Sequence, residues 1–219
     1  MKTFLILVTV TLLGATIVET SQGQVSPKAT VLWKPTTLGS SEELPPPTVH
    51  TEIIKTLRVA DMQIVLDETR WETAQKRLGG TIGHIGDASE SLKWLCFYGS
   101  HAGARWIFWL QGGEVNGDNV GGFQWRRMVH SEQPDSRCRK LQQKETSIEL
   151  PVPLQLGMTK AEVIKTLGVP TVQRGTLLTY YHEHEETIDN LPFTTSSILE
   201  VLLRDGVVAA IEGSKTSVN

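Results

Sequence analysis

Two stretches of this chain carry the same punctuation, and that recurrence limits the folds open to it. Leu66-Asp67-Glu68-Thr69-Arg70-Trp71-Glu72-Thr73-Ala74 and Leu156-Gly157-Met158-Thr159-Lys160-Ala161-Glu162-Val163-Ile164 both place Thr-x-x-Glu three residues after a leucine, 90 positions apart. This spacing is a capping box: the threonine hydroxyl accepts a backbone N–H at the start of a helix, and the glutamate reaches back to the cap. Each helix then runs to a Leu-Gly stop, Leu78-Gly79 and Leu167-Gly168, where glycine takes the left-handed conformation that closes a helix. Pro170 follows the second stop, as suits a residue that cannot continue it.

Strand-like material follows each helix. In the first half, 91–98, 104–110 and 121–129 are rich in aromatic and β-branched residues, with Gly112-Gly113 read as a turn. In the second half, 176–183, 197–204 and 207–213 fill the same slots, and Asp205-Gly206 is a strong hairpin signal. The expected fold is therefore α+β. It consists of two related units, 51–130 and 151–219, each a short helix or helix pair on a three- to four-stranded antiparallel sheet. One such unit buries only one sheet face, so the two are expected to pack together. The polar stretch 131–150 is the connector.

The N-terminus supplies an address. Met1-Lys2, an apolar core from Thr3 to Val18 and the polar run Glu19-Thr20-Ser21-Gln22-Gly23 describe a secretory signal peptide, 1–23, cut after Gly23, with Ala15 the lesser site. The segment 24–50 is read as a linker or surface-draped arm, because Pro27, Pro35 and Pro45-Pro46-Pro47 punctuate it with little apolar periodicity. No later stretch approaches a membrane span. Lys+Arg 21 against Asp+Glu 24 argues against a nucleic-acid binder, and a hydrophobic content of 39% argues against disorder. Export makes the cysteines informative: Cys96 and Cys138 are the only two, and in an oxidising compartment a lone pair is a disulfide. The neighbours Trp94, Leu95, Phe97 and Tyr98 offer Cys96 no base or cation to make it a nucleophile.

One motif carries a family likeness. Leu154-Gln155-Leu156-Gly157-Met158-Thr159-Lys160-Ala161-Glu162-Val163, then Leu167-Gly168-x-Pro170, resembles the L-x-x-G-M-T-x-x-x-V…LG-x-P signature of a bacterial envelope superfamily. Its members include the SmpA/OmlA-type lipoprotein of the barrel-assembly machinery and the secreted β-lactamase-inhibitory protein. The tandem arrangement resembles the inhibitor, and the likeness covers roughly Leu154 to Gly213. The first half departs, with Asp67-Glu68-Thr69 in place of Gly-Met-Thr and no proline after Leu78-Gly79-Gly80. The signature caps a helix, so it speaks for a fold and carries over no binding residue.

Candidate chemistry is sparse. On a strand, His182 and His184 share a face and are weak candidates for a shared Zn²⁺, for which Glu186 is a further ligand candidate. Ser100-His101 lacks a glycine-framed nucleophile elbow. Gly79-Gly80, Gly112-Gly113 and Gly121-Gly122 precede no lysine and helix in the order a phosphate loop needs. No catalytic residue and no cofactor is expected. Aromatics are more suggestive. Trp94, Trp106, Trp109 and Trp125 all fall on predicted strands of the first half, and both faces of 105–110 are apolar. Trp106 is assigned to the face against the helix. Trp109, Trp125 and Arg126, with Tyr180 and Tyr181 from the second half, are the candidate partner-binding residues, since tryptophan, tyrosine and arginine dominate binding hot spots. The functional expectation is an exported, non-catalytic protein-binding module of the bacterial periplasm or exterior: an inhibitor, immunity factor or envelope-assembly accessory. Its partner is another envelope or secreted protein. The alternative is a metal-dependent or hydrolytic envelope enzyme centred on His182 and His184.

Overall fold

The computed structural model describes residues 30–36, 38, 46–47, 52–87, 90–101, 103–142, 147–188 and 191–219, apart from the side chains of 186 and 188. The signal segment 1–23 and most of the arm therefore lie outside the described residues. Two α-helices, α1 (Trp71–Leu78) and α2 (Lys160–Leu167), are eight residues each. At α2 the capping box is complete: the Thr159 hydroxyl accepts the Glu162 N–H at 3.3 Å, and the Glu162 carboxylate accepts the Thr159 N–H at 2.7 Å. These bonds hold the Glu162 carboxyl below its ordinary pKa, the backbone N–H of Thr159 contributing most. At α1 the box does not form. The helix starts one residue later, its N-cap is Arg70 without a side-chain bond, and the Thr69 hydroxyl instead accepts the Val65 N–H at 2.8 Å.

The structural counterpart of Thr159 is thus Arg70: each makes an isolated bridge, to Val207 and Asn119 respectively. The turn before α1 holds one residue more, with positive φ at Asp67 (65°) where the second half has it at Gly157 (92°). Both helices close on a positive-φ glycine, Gly79 at 69° and Gly168 at 84°.

The strands in chain order are β1 (Thr30–Leu32), β2 (Thr56–Val59), β3 (Met62–Val65), β4 (Ile82–Ile85), β5 (Leu92–His101), β6 (Ala104–Gly113) and β7 (Gly122–Arg127). They continue with β8 (Glu132–Pro134), β9 (Arg139–Lys140), β10 (Ile148–Glu149), β11 (Val172–Arg174), β12 (Leu177–Ile188), β13 (Leu191–Arg204) and β14 (Val207–Val218). Gly112 and Gly113 are not a turn; they end β6, opposite Lys93 and Leu92. Asp205 and Gly206 do form a two-residue hairpin, with φ of 53° and 79°.

The α+β expectation of two helix-plus-sheet units is overturned. The chain is mostly β, and β11-β12-β13-β14-β7-β6-β5-β4, with β9 beside β5, form one nine-stranded sheet. The halves merge where β14 pairs β7 antiparallel, placing Ile211 opposite Trp125 and Gly213 opposite Phe123. Two separate sheets would each leave a row of unpaired N–H and C=O groups on that inner strand, and joining them satisfies both rows. The junction is tight: a Cβ on Gly213 would sit 2.5 Å from the Phe123 ring and 2.7 Å from Ile54. Asn116 ties it further, donating to Asp67 at 3.0 Å and to the Lys215 carbonyl at 2.9 Å. The 131–150 stretch contributes three short strands, and each pairs elsewhere: β8 with β1, β9 with β5, and β10 with β2.

Strand alternation gives the sheet two faces. On the inner face Phe97, Trp106, Phe108, Phe123, Tyr180, Leu199 and Ile211 meet both helices and the three-stranded sheet β10-β2-β3 in one core. Burying each such side chain contributes ~1.5–3 kcal/mol. On the outer face a second cluster gathers Trp94, Cys96, Ile107, Trp109 and Cys138, with Leu32 and Trp33 against it. The Cys96–Cys138 disulfide lies within this cluster.

Candidate functional site

The outer face is a site under construction from one row of side chains. Strand register aligns Cys96, Trp109, Gln124, Glu212, Glu200 and Thr179 across β5, β6, β7, β14, β13 and β12. The described part of the N-terminal arm crosses the first four of these strands along that row. Leu32 O lies 3.5 Å from Cys138 Sγ. The Trp109 indole N–H donates to Trp33 O at 3.0 Å, so a buried donor that would otherwise cost about 1–3 kcal/mol is satisfied by the arm. Gln124 reads Thr36 from both sides, accepting its N–H at 3.3 Å and donating to its carbonyl. Glu212 accepts the Leu38 N–H at 2.9 Å and is held by the amides of Gln111 at 2.9 Å and Gln124 at 2.8 Å.

The arm is also gripped from the side. β1 pairs β8 in parallel, and the Trp33 ring stands edge-on to Trp94 with centroids 5.5 Å apart. The Arg137 guanidinium sits 4.1 Å over the Trp33 ring, and Asp135 orients it through bonds of 2.7 and 3.0 Å. Those bonds to Arg137 lower the Asp135 pKa to about 2. Beside Pro35 the arm leaves an open cleft floored by Gly112, Gly121 and Gly122, with Gln111, Glu212 and Ser214 at its rim.

Beyond Glu212 the described arm ends and the outer face changes character. Tyr181, Ile198 and Leu202 are half-buried there, and Glu183 and Glu185 are exposed. The Tyr181 hydroxyl donates to Glu183, which also accepts from Ser196 at 3.2 Å. Burial, and then the Glu183 carboxylate, raise the Tyr181 pKa.

The candidate residues fall in different places. Trp109 is on the outer face but 1% exposed, closed off by the arm, and Arg126 lies beside it, 5.8 Å over its ring and paired with Glu132 at 2.9 Å. Trp125 faces inward, 9% exposed in the main core with Trp106, because its register partner Phe108 points that way. The tryptophans therefore do not form an open aromatic face; the second strand face is apolar because a strap of the same chain lies on it. Tyr180 also points inward, 1% exposed, its hydroxyl donating to Gly168 O at 3.2 Å, and burial pushes it up to about 12. Of the five, Tyr181 remains on the uncovered part. His182 and His184 share the inner-face side of β12 with ring centroids 5.3 Å apart, and among the described residues no third His, Cys, Asp or Glu joins them to hold a metal ion. The side chain of Glu186 lies outside the described residues.

Sequence reasoning missed Trp33, Thr36, Gln124 and Glu212. One signal pointed to them: Gln124 is a neutral amide between Phe123 and Trp125, and a fully buried amide needs partners.

Compared with protein-family models, curated proteins and solved structures, the chain matches none. The disulfide is compatible with an oxidising compartment. Among the described residues no helix is long and apolar enough to cross a membrane.

Proposed function

We propose that this chain is an exported, non-catalytic protein-binding module of the bacterial periplasm or exterior, an inhibitor, immunity factor or envelope-assembly accessory. The observation that carries this reading is the unequal cover of the outer sheet face. Over β5 to β7 the chain covers its own aromatics, whereas over β12 and β13 Tyr181, Ile198 and Leu202 stay half-open between carboxylates. A half-open tyrosine and aliphatics ringed by polar groups is the composition of a binding patch. The envelope-superfamily likeness of the α2 motif supports the same reading. The test is capture from envelope extract by the mature protein and by Tyr181→Ala and Ile198→Arg variants. A partner held by the wild type should be lost from both variants while each still unfolds cooperatively with only a small drop in melting temperature, Tyr181→Ala costing ~2 kcal/mol or more of affinity if it is a hot spot. Capture unchanged by either variant would remove the patch. The competing reading, a metal-dependent or hydrolytic enzyme, rests on the 5.3 Å His182–His184 pair. Stoichiometric zinc in purified protein, lost from a double alanine variant, would favour it.

A further inference from the structure

The two outermost long strands of the sheet end in different ways. Along β5, β4 covers Leu92 to Leu95 and β9 covers Phe97 and Tyr98, with the Leu141 N–H donating to Tyr98 O at 2.9 Å. Along β12, β11 covers only Leu177 to Thr179, and the Tyr181 N–H donates to the Thr171 hydroxyl at 2.9 Å. From 182 to 188 no described strand lies on the outer side of β12. Because the Tyr181 N–H points away from β13, antiparallel alternation turns the N–H and C=O groups of Glu183, Glu185 and Thr187 outward as well. This is a strand-length template for backbone pairing.

We propose that the outer edge of β12, 182–188, is a docking site where an extended, basic segment of the partner protein adds as a further strand. The proposal rests on the protein-binding reading and specifies the partner's chemistry. Backbone bonds to such an edge give affinity, and alternate side chains give selectivity.

The selectivity is set by charge. Glu183 and Glu185 stand on one face of this edge, both exposed, and the positions of β12 and β13 sharing that face from 177 to 202 include Glu200 and no lysine or arginine. A strand with lysine or arginine at alternate positions meets opposite charges directly across the new pair. A second copy of β12 would bring Glu183 and Glu185 against their own kind, which is destabilising. The chain's own segment 39–51 carries Glu42, Glu43 and three successive prolines, and no lysine or arginine. Proline lacks the donor a strand needs. A basic segment from another protein is the occupant that fits.

The probe is a short synthetic peptide alternating lysine and valine, read by fluorescence anisotropy and by amide hydrogen exchange of the mature protein. The expected result is binding that protects the amides of Glu183, Glu185 and Thr187. The same peptide N-methylated at every second residue should not bind, since it lacks the donors. A Glu183→Lys/Glu185→Lys variant, in which both side chains are exposed and Glu183 gives up only surface bonds from Tyr181 and Ser196, should shift its melting temperature little and weaken binding about tenfold. Equal binding of the N-methylated peptide, or no binding, overturns the proposal. Protection at this edge without peptide overturns it too, identifying a second copy if it rises with protein concentration and an own segment if it does not. If a captured partner is lost by Ile198→Arg but kept by the double lysine variant, the protein-binding reading stands and the edge proposal falls.

Discussion

At the β4 end of the sheet, strands β5 to β7 are covered on the inner face by the main core, on the outer face by the arm, and along most of the edge by β4 and β9. At the β11 end, β12 and β13 share the same inner core but keep a half-open outer face, and among the described residues no strand pairs the outer edge of β12 beyond Tyr181. The difference follows side-chain chemistry. Outer-face positions of the first half include Trp94, Cys96, Ile107 and Trp109, which need cover, alongside Gln111 and Gln124, whose amides bond Glu212 and, at Gln124, the arm. Those of the second half include Tyr181, Glu183, Ser196, Ile198 and Leu202, which are half-buried or exposed. Covered tryptophan contributes to stability, whereas half-buried Tyr181 and exposed Glu183 keep contact with water.

The largest expected effect separates these ends by truncation. Trp109→Ala, at 1% exposure beneath the arm, should cost ~3–5 kcal/mol of stability, and Trp106→Ala a similar amount. Ile198→Ala on the half-open face should cost ~1 kcal/mol or less, measured by urea unfolding. Near-equal losses would break the comparison.

Next comes the disulfide. Replacing both Cys96 and Cys138 by serine should cost ~2–4 kcal/mol, given a closed loop of 42 positions. It should also loosen the arm, seen as faster exchange of the Thr30 amide, which donates to Ser131 O at 2.9 Å. A stability loss that leaves this amide protected would show that the bridge and the arm are independent.

A smaller effect compares the two helix starts. Thr159→Ala should cost ~1 kcal/mol, because it removes the oxygen that caps α2. Arg70→Ser should instead stabilise by a net ~0.5 kcal/mol, supplying the cap α1 lacks and giving up only an exposed pair with Asp118.

The smallest concerns acid. Asp135 has its pKa lowered from 3.8 to about 2 by Arg137, so its contribution is present above the unfolded value and is lost as pH falls through about 2. Tryptophan emission from Trp33 should therefore hold steady down to about pH 4 and shift only below it. A shift centred above pH 4 would detach the arm from this carboxylate.

Local signals were legible where the chemistry is local. The α2 capping box, the Leu-Gly stops, the Asp205-Gly206 hairpin and the Cys96–Cys138 pair depend on a few neighbours or on counting to two. The α1 start departs from its Thr-x-x-Glu pattern because one inserted residue, invisible in that pattern, moves the N-cap to Arg70. Trp125, expected as a partner-binding residue, lies in the core because alternation gives two faces without saying which is inner; pairing with Phe108 decides that.

Strand periods, the α2 cap, the Leu-Gly stops, the cysteine pair and the uneven spread of tryptophan follow from short windows of residues or from simple counting. Three further features come from the fold and from no short window: β7 and β14 join the halves into one sheet, the arm lies on Trp109, and no described strand pairs β12 beyond Tyr181. Those outcomes turn on contacts between distant residues: 76 positions separate Trp33 from Trp109, and 88 separate Thr36 from Gln124. Edge pairing is made by backbone groups that every residue type carries, so no side-chain pattern announces which strand will find a partner.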